Sequence, residues 1–411
     1  MKTADVTVVG GGMVGLACAC LLAREGFEVI VADAGPAASW DPADIPGRVS
    51  ALNLATRRLL EHVGVWDAIL EGRATPYRAM SVWDSDSGAR IRFDAAEEGV
   101  PALGYIVENA LVAVAMLERL RQNYRVGIRH EVPIDGMEPA DGDADGVVRL
   151  RLRGGETIAS RLVVAADGAR STLRALAGIG ADEQDFHQDA VVATLETSRP
   201  HVQTAYQVFT PRGPIAMLPL QGNQCSLVWS RDRADDEDLL ALDAAEFCGR
   251  LEGHFGSRLG SVGLVGDRLS FPLGSRHAES YLGNRLALVG DAAHTVHPLA
   301  GLGANLGMQD AAALVETVAA ARDAGKGIGS HSVLRRYERW RRGENGIAIN
   351  AMKGFKRVFG STLEPVRHSR EAAFRVADGV MPLKHWLAQY ALGTRGDLPM
   401  ACRPAIKEEI P

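Results

Sequence analysis

Long hydrophobic runs are missing from this chain of 411 residues: no window offers 18 uncharged apolar residues, so no segment reads as a membrane span. The apolar stretch that begins at Val6 is interrupted by glycines and then by a helix pattern. No small-residue cleavage site follows it, which argues against a secretory leader and for a cytoplasmic protein. Cysteine is scarce. The five present (Cys18, Cys20, Cys225, Cys248, Cys402) are odd in number and scattered without a C-x-x-C pair, which argues against a disulfide framework or a zinc site and suits reduced thiols. Excess positive charge is missing too: with a net charge of −6 and an isoelectric point of about 6.0, no basic field points to nucleic acid. The remaining balance, 46% hydrophobic and 23% charged, is that of an ordinary globular protein, and at about 150 residues per domain the length allows two to three domains.

The clearest unit comes first. Val6 to Val9 reads as a short buried strand, Met13 to Arg24 has helical apolar spacing, and Val29 to Ala32 reads as a second strand, which together open a parallel strand–helix–strand unit. Between strand and helix stands Gly10-Gly11-Gly12-Met13-Val14-Gly15, a G-x-G-x-x-G. Its first glycine permits a tight turn, its second lets a pyrophosphate approach the backbone, and its third lets helix and strand pack closely. Asp33 follows 18 residues after Gly15, at the end of the next strand, and suits a ribose hydroxyl acceptor. The unit predicts dinucleotide binding, the alternative being a tight turn with a capping Asp. The motif alone does not separate FAD from NAD.

Residues 35–47 are rich in Pro, Gly and Asp and read as a loop, and Leu52 to Val63 reads as a helix. From about 78 to 160 the pattern is β-rich, broken by a helix at Leu111–Gln122. Asp141–Gly146 opens like a calcium loop, but Leu152 stands where the bidentate Glu is needed, so a hairpin turn is the better reading. Residues 190–275 alternate short strands (Val191–Glu196, Ala205–Phe209, Ile215–Leu218, Cys225–Trp229) with turns, around a helix at Leu239–Phe255. A strand at Arg285–Val289, a helix at Ala311–Arg322 and a mostly helical remainder from about 333 complete the chain.

Two further segments carry chemistry. Leu162 to Ala166 is a buried strand running into Asp167-Gly168-Ala169-Arg170-Ser171-Thr172-Leu173-Arg174, and Leu286 to Val289 runs into Gly290-Asp291-Ala292-Ala293-His294. The latter continues as His297-Pro298-Leu299-Ala300-Gly301-Leu302-Gly303-Ala304-Asn305, a glycine-rich turn opening another helix. Together these segments resemble the class A flavoprotein aromatic hydroxylases, with a fold like that of p-hydroxybenzoate hydroxylase. Within that superfamily, Arg48 to Asn53, Gly104 to Asn109, Pro214 to Pro219, Ser226 to Trp229 and Arg335 to Arg339 resemble the ubiquinone-biosynthesis hydroxylases. Val82-Trp83-Asp84, Leu334 to Arg339 and Gly354-Phe355 look most like the 2-polyprenylphenol hydroxylase branch.

The resemblance implies an α/β fold: a Rossmann-like FAD-binding domain (1–75, 100–185 and 276–335), an antiparallel-sheet substrate domain (76–99 and 186–275) and a helical C-terminal region (336–411). It implies that Gly10, Gly12 and Gly15 hold the pyrophosphate and Asp33 the adenosine ribose. Arg48 lies near the flavin, Asp167 and Gly168 belong to a segment serving FAD and the reducing nucleotide, and Gly290 and Asp291 meet the ribityl chain. The helix from Gly303 aims its amides, Ala304 and Asn305 included, at the flavin pyrimidine edge, where a positive dipole end stabilises the reduced anion. His297 and Pro298 are the candidates for lining the active site. His294 and His297 lack a partner at ligand spacing, so no metal site is expected. One departure is Leu302, where the family carries Gln; an altered flavin environment rather than lost binding is the expectation.

The implied activity is FAD-dependent hydroxylation of a polyprenylated phenol by O2 in ubiquinone biosynthesis, through a flavin C4a-hydroperoxide; with one G-x-G-x-x-G in the chain, NAD(P)H binds as a transient reductant or electrons come from another protein. A soluble-phenol hydroxylase, another flavin reductase on the same scaffold, or a non-catalytic flavin-bound assembly component are the alternatives. An insoluble tail requires an entrance at the bilayer, making the protein cytoplasmic or peripheral at the inner membrane, or else delivery by partners in a biosynthetic complex; homo-oligomerisation stays open. Residues 335–375 carry eleven Lys/Arg against four Glu, with Ile347, Ile349, Met352, Phe355, Val358 and Phe359 interleaved. That pattern reads either as a solvated helix face or as a docking surface for anionic lipid or an acidic partner.

Overall fold

A strand that is apolar on both faces needs cover on both faces. Val6, Val8 and Val9 meet that need in β1 (Ala4–Val9), the middle of a mainly parallel sheet. The computed structural model describes residues 3–44, 47–138, 146–233, 239–296, 301–359 and 381–404. β1 is flanked by β2 (Val29–Ala32), which pairs with β8 (Val126–Arg129), and by β11 (Thr157–Ala165), which pairs with β18 (Leu286–Leu288); all four pairings are parallel. The short β17 (Leu282–Gly283) and the hairpin β9 (Ile134–Glu138)–β10 (Val148–Leu152) join antiparallel, so the strands flanking the Asp141–Gly146 segment pair as a hairpin requires. Residues 141–145 themselves lie outside the described residues.

Helix α1 (Met13–Arg24) packs against this sheet with nine consecutive buried residues. Its Cys18 and Cys20 thiols, like those of Cys225 and Cys402, are pushed up to about 12 by burial. A small sheet orders β3 (Val49–Leu52), β7 (Gly104–Glu108) and β4 (Thr75–Tyr77). The helix expected from Leu52 begins two residues later as α2 (Leu54–His62), because Asn53 caps it by accepting from Thr56 N at 3.0 Å while Leu52 ends the strand. After α3 (Trp66–Glu71), Arg73 holds the Pro/Asp-rich loop. It donates to Pro42 O (3.0 Å) and Asp44 O (2.6 Å) and grips both Glu108 oxygens (2.6 and 3.1 Å).

The third sheet has eight strands. From one edge they run β19 (His294–Thr295), β16 (Val262–Ala278), β12 (Ala181–Thr197), β15 (Gln224–Asp232), β14 (Gly213–Pro219), β13 (Thr204–Thr210), β5 (Ala79–Asp84) and β6 (Arg90–Asp94). It is antiparallel except where β13 runs parallel to β5. The expected boundaries at 185/186 and 275/276 fall inside β12 and β16, each a continuous strand of 17 residues. Alternation sends Val191, Ala193 and Leu195, with Ile215, Met217, Leu227 and Trp229, to one face. There Phe247, Cys248, Leu251 and Phe255 of helix α6 (Ala244–Phe255) cover them. Asp243 starts this helix by accepting from Glu246 N at 2.8 Å, five residues later than the sequence pattern suggested.

Helices α4 (Asn109–Arg121), α5 (Thr172–Leu176), α7 (Leu302–Asp323), α8 (His331–Phe359) and α9 (Met381–Leu392) complete the chain. Val333, Leu334 and Tyr337 put α8 into the first core, and the Tyr337 hydroxyl donates to Leu288 O at 2.7 Å. Among the described residues no helix is long and apolar enough to cross a membrane. Phe247→Ala, which empties the centre of the second core, is expected to lower the unfolding free energy by about 3–5 kcal/mol, read from the urea midpoint.

Candidate cofactor and active site

The three motif turns leave neighbouring parallel strands at the same level. Val9 is the register partner of Ala165, and Ala165 of Leu288, so the turns after β1, β11 and β18 meet at one sheet edge. Gly10 (φ +118°) sits where side chains are strained, and a Cβ on it would stand 2.2 Å from Ala166 O. A Cβ on Gly15 would stand 2.0 Å from Gly10 O, so the third glycine is what lets α1 pack on its own turn. Gly12 differs: a Cβ there meets no atom within 4 Å. Gly12 is also the N-cap of α1, with no capping side chain and no acid in the first turn. Open space in front of uncapped amides is what a pyrophosphate fits. Met13 starts the helix, and Val14 wedges between two glycines, since a Cβ on Gly290 or Gly307 would press on it at 3.1 or 2.7 Å. Asp33 accepts from Gly11 N and, at 2.6 Å, from Gly35 N. These amides aim the carboxylate and leave lone pairs for a ribose.

Asp167 turns inward. Its oxygens accept from Ser171 Oγ (2.5 Å) and Leu173 N (3.1 Å), and Ser171 caps α5 by accepting from Arg174 N (3.0 Å). Gly168 provides the turn with φ +82°. The buried Arg174 then donates to Ala169 O (3.1 Å) and to Ala292 O (2.9 Å), stapling the second motif to the third. Asp291 is exposed, with its carboxyl pushed above the usual range chiefly by the protein crowded around it, against the pull of His294, Arg48 and Arg276. Arg48 is exposed, with its guanidinium 5.8 Å from the Phe271 ring centre. Helix α7 starts at the left-handed Gly301 with no capping side chain, and Gly303 faces open space. The amides of residues 302–304, Ala304 included, therefore have no partner within the helix.

The Asn305 side chain has a task of its own. Its Oδ1 accepts from Asn53 N (2.9 Å) and Thr56 Oγ1 (2.7 Å), and its Nδ2 donates to Ala51 O (2.8 Å) and Gly301 O (2.9 Å). The side chain is spent clamping β3 and α2 to the start of α7. His297 and Pro298 lie outside the described residues, as does the side chain of Leu302.

Sequence reading missed what lies behind the third motif. Asp310, in α7, accepts from Gly290 N (3.2 Å) and His294 Nε2 (2.5 Å) on one oxygen and from Arg341 Nε (2.8 Å) and Asn345 Nδ2 (2.9 Å) on the other. Asp310 and its three side-chain partners are all buried. Burial alone would raise the Asp310 carboxyl, but His294 and Arg341 outweigh it and hold the group at about 2. His294 Nε2 is thus spent on this carboxylate, and among the described residues no cluster of three or more His, Cys, Asp or Glu suits a metal.

The FAD binding domain family matches residues 3–345. The chain is 39% identical to the 3-demethoxyubiquinol 3-hydroxylase of Escherichia coli K12, over 95% of this chain and 98% of the relative. It is 40% identical to the ubiquinone hydroxylase UbiL of Rhodospirillum rubrum, over 96% of this chain and 90% of that one. Among solved structures, p-nitrophenol 4-monooxygenase from Pseudomonas putida shares the fold with a TM-score of 0.76, covering 96% of this chain and 100% of its own at 22% identity.

Gly12→Ala adds a methyl group that touches no protein atom but enters the open space before the first amides of α1. Unchanged circular dichroism and melting temperature are expected, with FAD bound at least about tenfold more weakly by titration (roughly 1.4 kcal/mol). Asp310→Asn leaves Arg341 buried without its counter-charge, at a cost of about 3–5 kcal/mol near neutral pH. Because the folded carboxyl titrates below its ordinary value, its stabilisation is complete above about pH 4 and lost as pH falls towards about 2. Melting curves across that range should therefore converge for wild type and variant at the acid end.

Proposed function

The chain belongs to the FAD binding domain family and is an FAD-dependent monooxygenase, and on that premise we propose that it hydroxylates the ring of a polyprenylated phenol in ubiquinone biosynthesis. One observation carries this reading: the face of the large sheet opposite α6 is uncharged where it adjoins the cofactor site. Leu269 and Phe271, both exposed, share that face through the strand register with Val192 and Ala190, then Val228 and Ser230, then Ala216. Phe271 lies against Arg48, which also acts on Asp291, so this face borders the turn of the third motif. Neutral strand side chains, Leu269 and Phe271 among them, suit a flat apolar ring.

The chemistry that FAD supplies when bound is the two-electron activation of O2 and delivery of one oxygen atom to the ring. In this reading the amides of α1 and the space at Gly12 hold the pyrophosphate, Asp33 a ribose and Asp291 the ribityl hydroxyls, while the first-turn amides of α7 face the flavin ring edge. The sheet face orients the phenol and keeps water away. A reduced nicotinamide dinucleotide, visiting transiently, is the proposed reductant.

The nearly insoluble tail places the entrance at an anionic bilayer or at partner proteins of a biosynthetic complex. The C-terminal basic segment supplies part of such a surface. Arg341 is withdrawn into the Asp310 network, Lys353 faces Asp182 at 3.4 Å and Ile349 is buried, whereas Ile347 is 60% exposed. The side chains of Met352, Phe355, Val358 and Phe359 and all of residues 360–380 lie outside the described residues.

Purified yellow protein, given NADH or NADPH, isotope-labelled O2 and a short-tailed polyprenylphenol, should yield a product bearing one labelled oxygen atom by mass spectrometry. Expression in a bacterium lacking a ubiquinone hydroxylase should restore the missing quinone. Turnover of small soluble phenols alone would overturn the proposal. Vesicles rich in anionic lipid should float the protein at low salt and release it at high salt; no binding would leave delivery to protein partners.

A further inference from the structure

The open face of the large sheet is floored by neutral side chains, and one of them is a buried amide. Direct register partners run in a row from Leu269 on β16 to Val192 on β12, Val228 on β15, Ala216 on β14, Gln207 on β13 and Val82 on β5. Partners on neighbouring strands stand on the same side of a sheet, so Gln207 belongs to the face opposite α6. Its chain neighbours Tyr206 and Val208 go the other way, into the core that α6 covers. Gln207 is the only polar side chain in this row, and Ala216 and Val82 on either side of it offer no polar side-chain atom.

Gln207 is 6% exposed, yet among the described residues its side-chain amide forms no hydrogen bond. A primary amide carries two donors and an acceptor with two lone pairs, and leaving them unmet in a protein interior costs free energy. An amide kept for the fold alone is paired with its neighbours. The Gln207 amide atoms are not sealed from solvent either, so they border the space over the face. That space is open: Val192, Val228 and Ala216 are half-buried rather than covered, and Leu269 is 52% exposed. Ser226 and Ser230 share the face but carry short hydroxyls and are each only 2% exposed.

We propose that Gln207 binds the phenol oxygen of the substrate, its Oε1 accepting the phenolic O–H while the ring lies on Ala216 and Val228, between the amide and the Phe271 end of the face. The proposal rests on the reading that this face takes a phenol, and it adds which atom of the ring is held and by what. A neutral amide accepts the hydrogen bond without removing the proton, so the bound ring remains a neutral phenol. An apolar floor alone lets a flat ring turn in its own plane, whereas one anchored oxygen fixes which ring carbon is turned towards the cofactor. The same amide selects: a ring without the hydroxyl leaves it unpaired and is held more weakly.

The test uses the FAD-loaded full chain, a short-tailed polyprenylphenol and the same tailed ring without its hydroxyl, with binding read from the change each causes in the absorbance of the oxidised flavin. Wild type should hold the phenol about fivefold or more tightly than the ring lacking the hydroxyl. Gln207→Met, unbranched and of similar length, should lose most of that preference while holding the hydroxyl-free ring as tightly as wild type does. FAD content and melting temperature should not fall, and Gln207→Leu repeats the measurement if the Met variant does not fold. In turnover, the variant should spread its product over more than one ring position by mass spectrometry, where wild type gives one. A variant that keeps the full preference would show that the amide does not read the oxygen and overturn the proposal. Equal weakening towards both rings would show that Gln207 serves packing alone and overturn it too. If neither ring disturbs the flavin of wild type, the substrate reading itself falls, and the proposal with it.

Discussion

Four donors converge on the two oxygens of Asp310, a carboxylate with no exposure to solvent, and they come from three places in the chain: the turn after β18, strand β19 and helix α8. A lone charge buried that deeply would be untenable. With Arg341 and His294 in place it becomes the point from which the third motif is hung, since Gly290 N is bound directly and Ala292 O is bound in turn by Arg174 of the second motif. Close approach finishes the assembly: Val14 of the first motif sits against Gly290 and Gly307. Helix α8 is therefore not an appendage to the cofactor-binding half. Without Arg341 and Asn345 the carboxylate at its centre has lost two of its four partners.

How much of this could be read from residues alone follows from distance along the chain. The glycine turn, its strands and Asp33 are local, fixed by hard sterics within about thirty residues, and the structure places them as the pattern requires. The convergence of the three turns follows from parallel register and was legible through motif resemblance. Asp310 was not: it lies 31 residues from Arg341 and 35 from Asn345, all three outside the motif segments, and only packing brings them together. Asn305 shows the opposite limit. The resemblance spoke only for its amide at the start of α7; that its side chain is consumed by four hydrogen bonds to β3, α2 and its own helix start was not written in the motif. Position in a motif says where a residue is, not which way its polar atoms have been spent.

Strands β12 and β16 explain why a division of the chain is hard to see in sequence. Each runs for 17 residues, pairing with the other from Ala181 and Ala278 at one end to Thr197 and Val262 at the other. The ribbon is bent rather than broken: its register shifts between Asp185 and Gln188, where His187 adopts φ +53°, and again between Val192 and Thr194. Such bulges keep the hydrogen bonds running while re-aiming the faces. The large antiparallel sheet is thus tied by these two strands to the sheet from which the three motif turns leave.

An enzyme that handles reduced oxygen meets its own stray oxidant first. Sulfur is attacked as thiolate, and at physiological pH the Cys18, Cys20, Cys225 and Cys402 thiols, titrating at about 12 and sealed in apolar cores, supply almost none. The packing that makes these four cysteines useful as small fillers also removes their thiols from the chemistry of sulfenic acids.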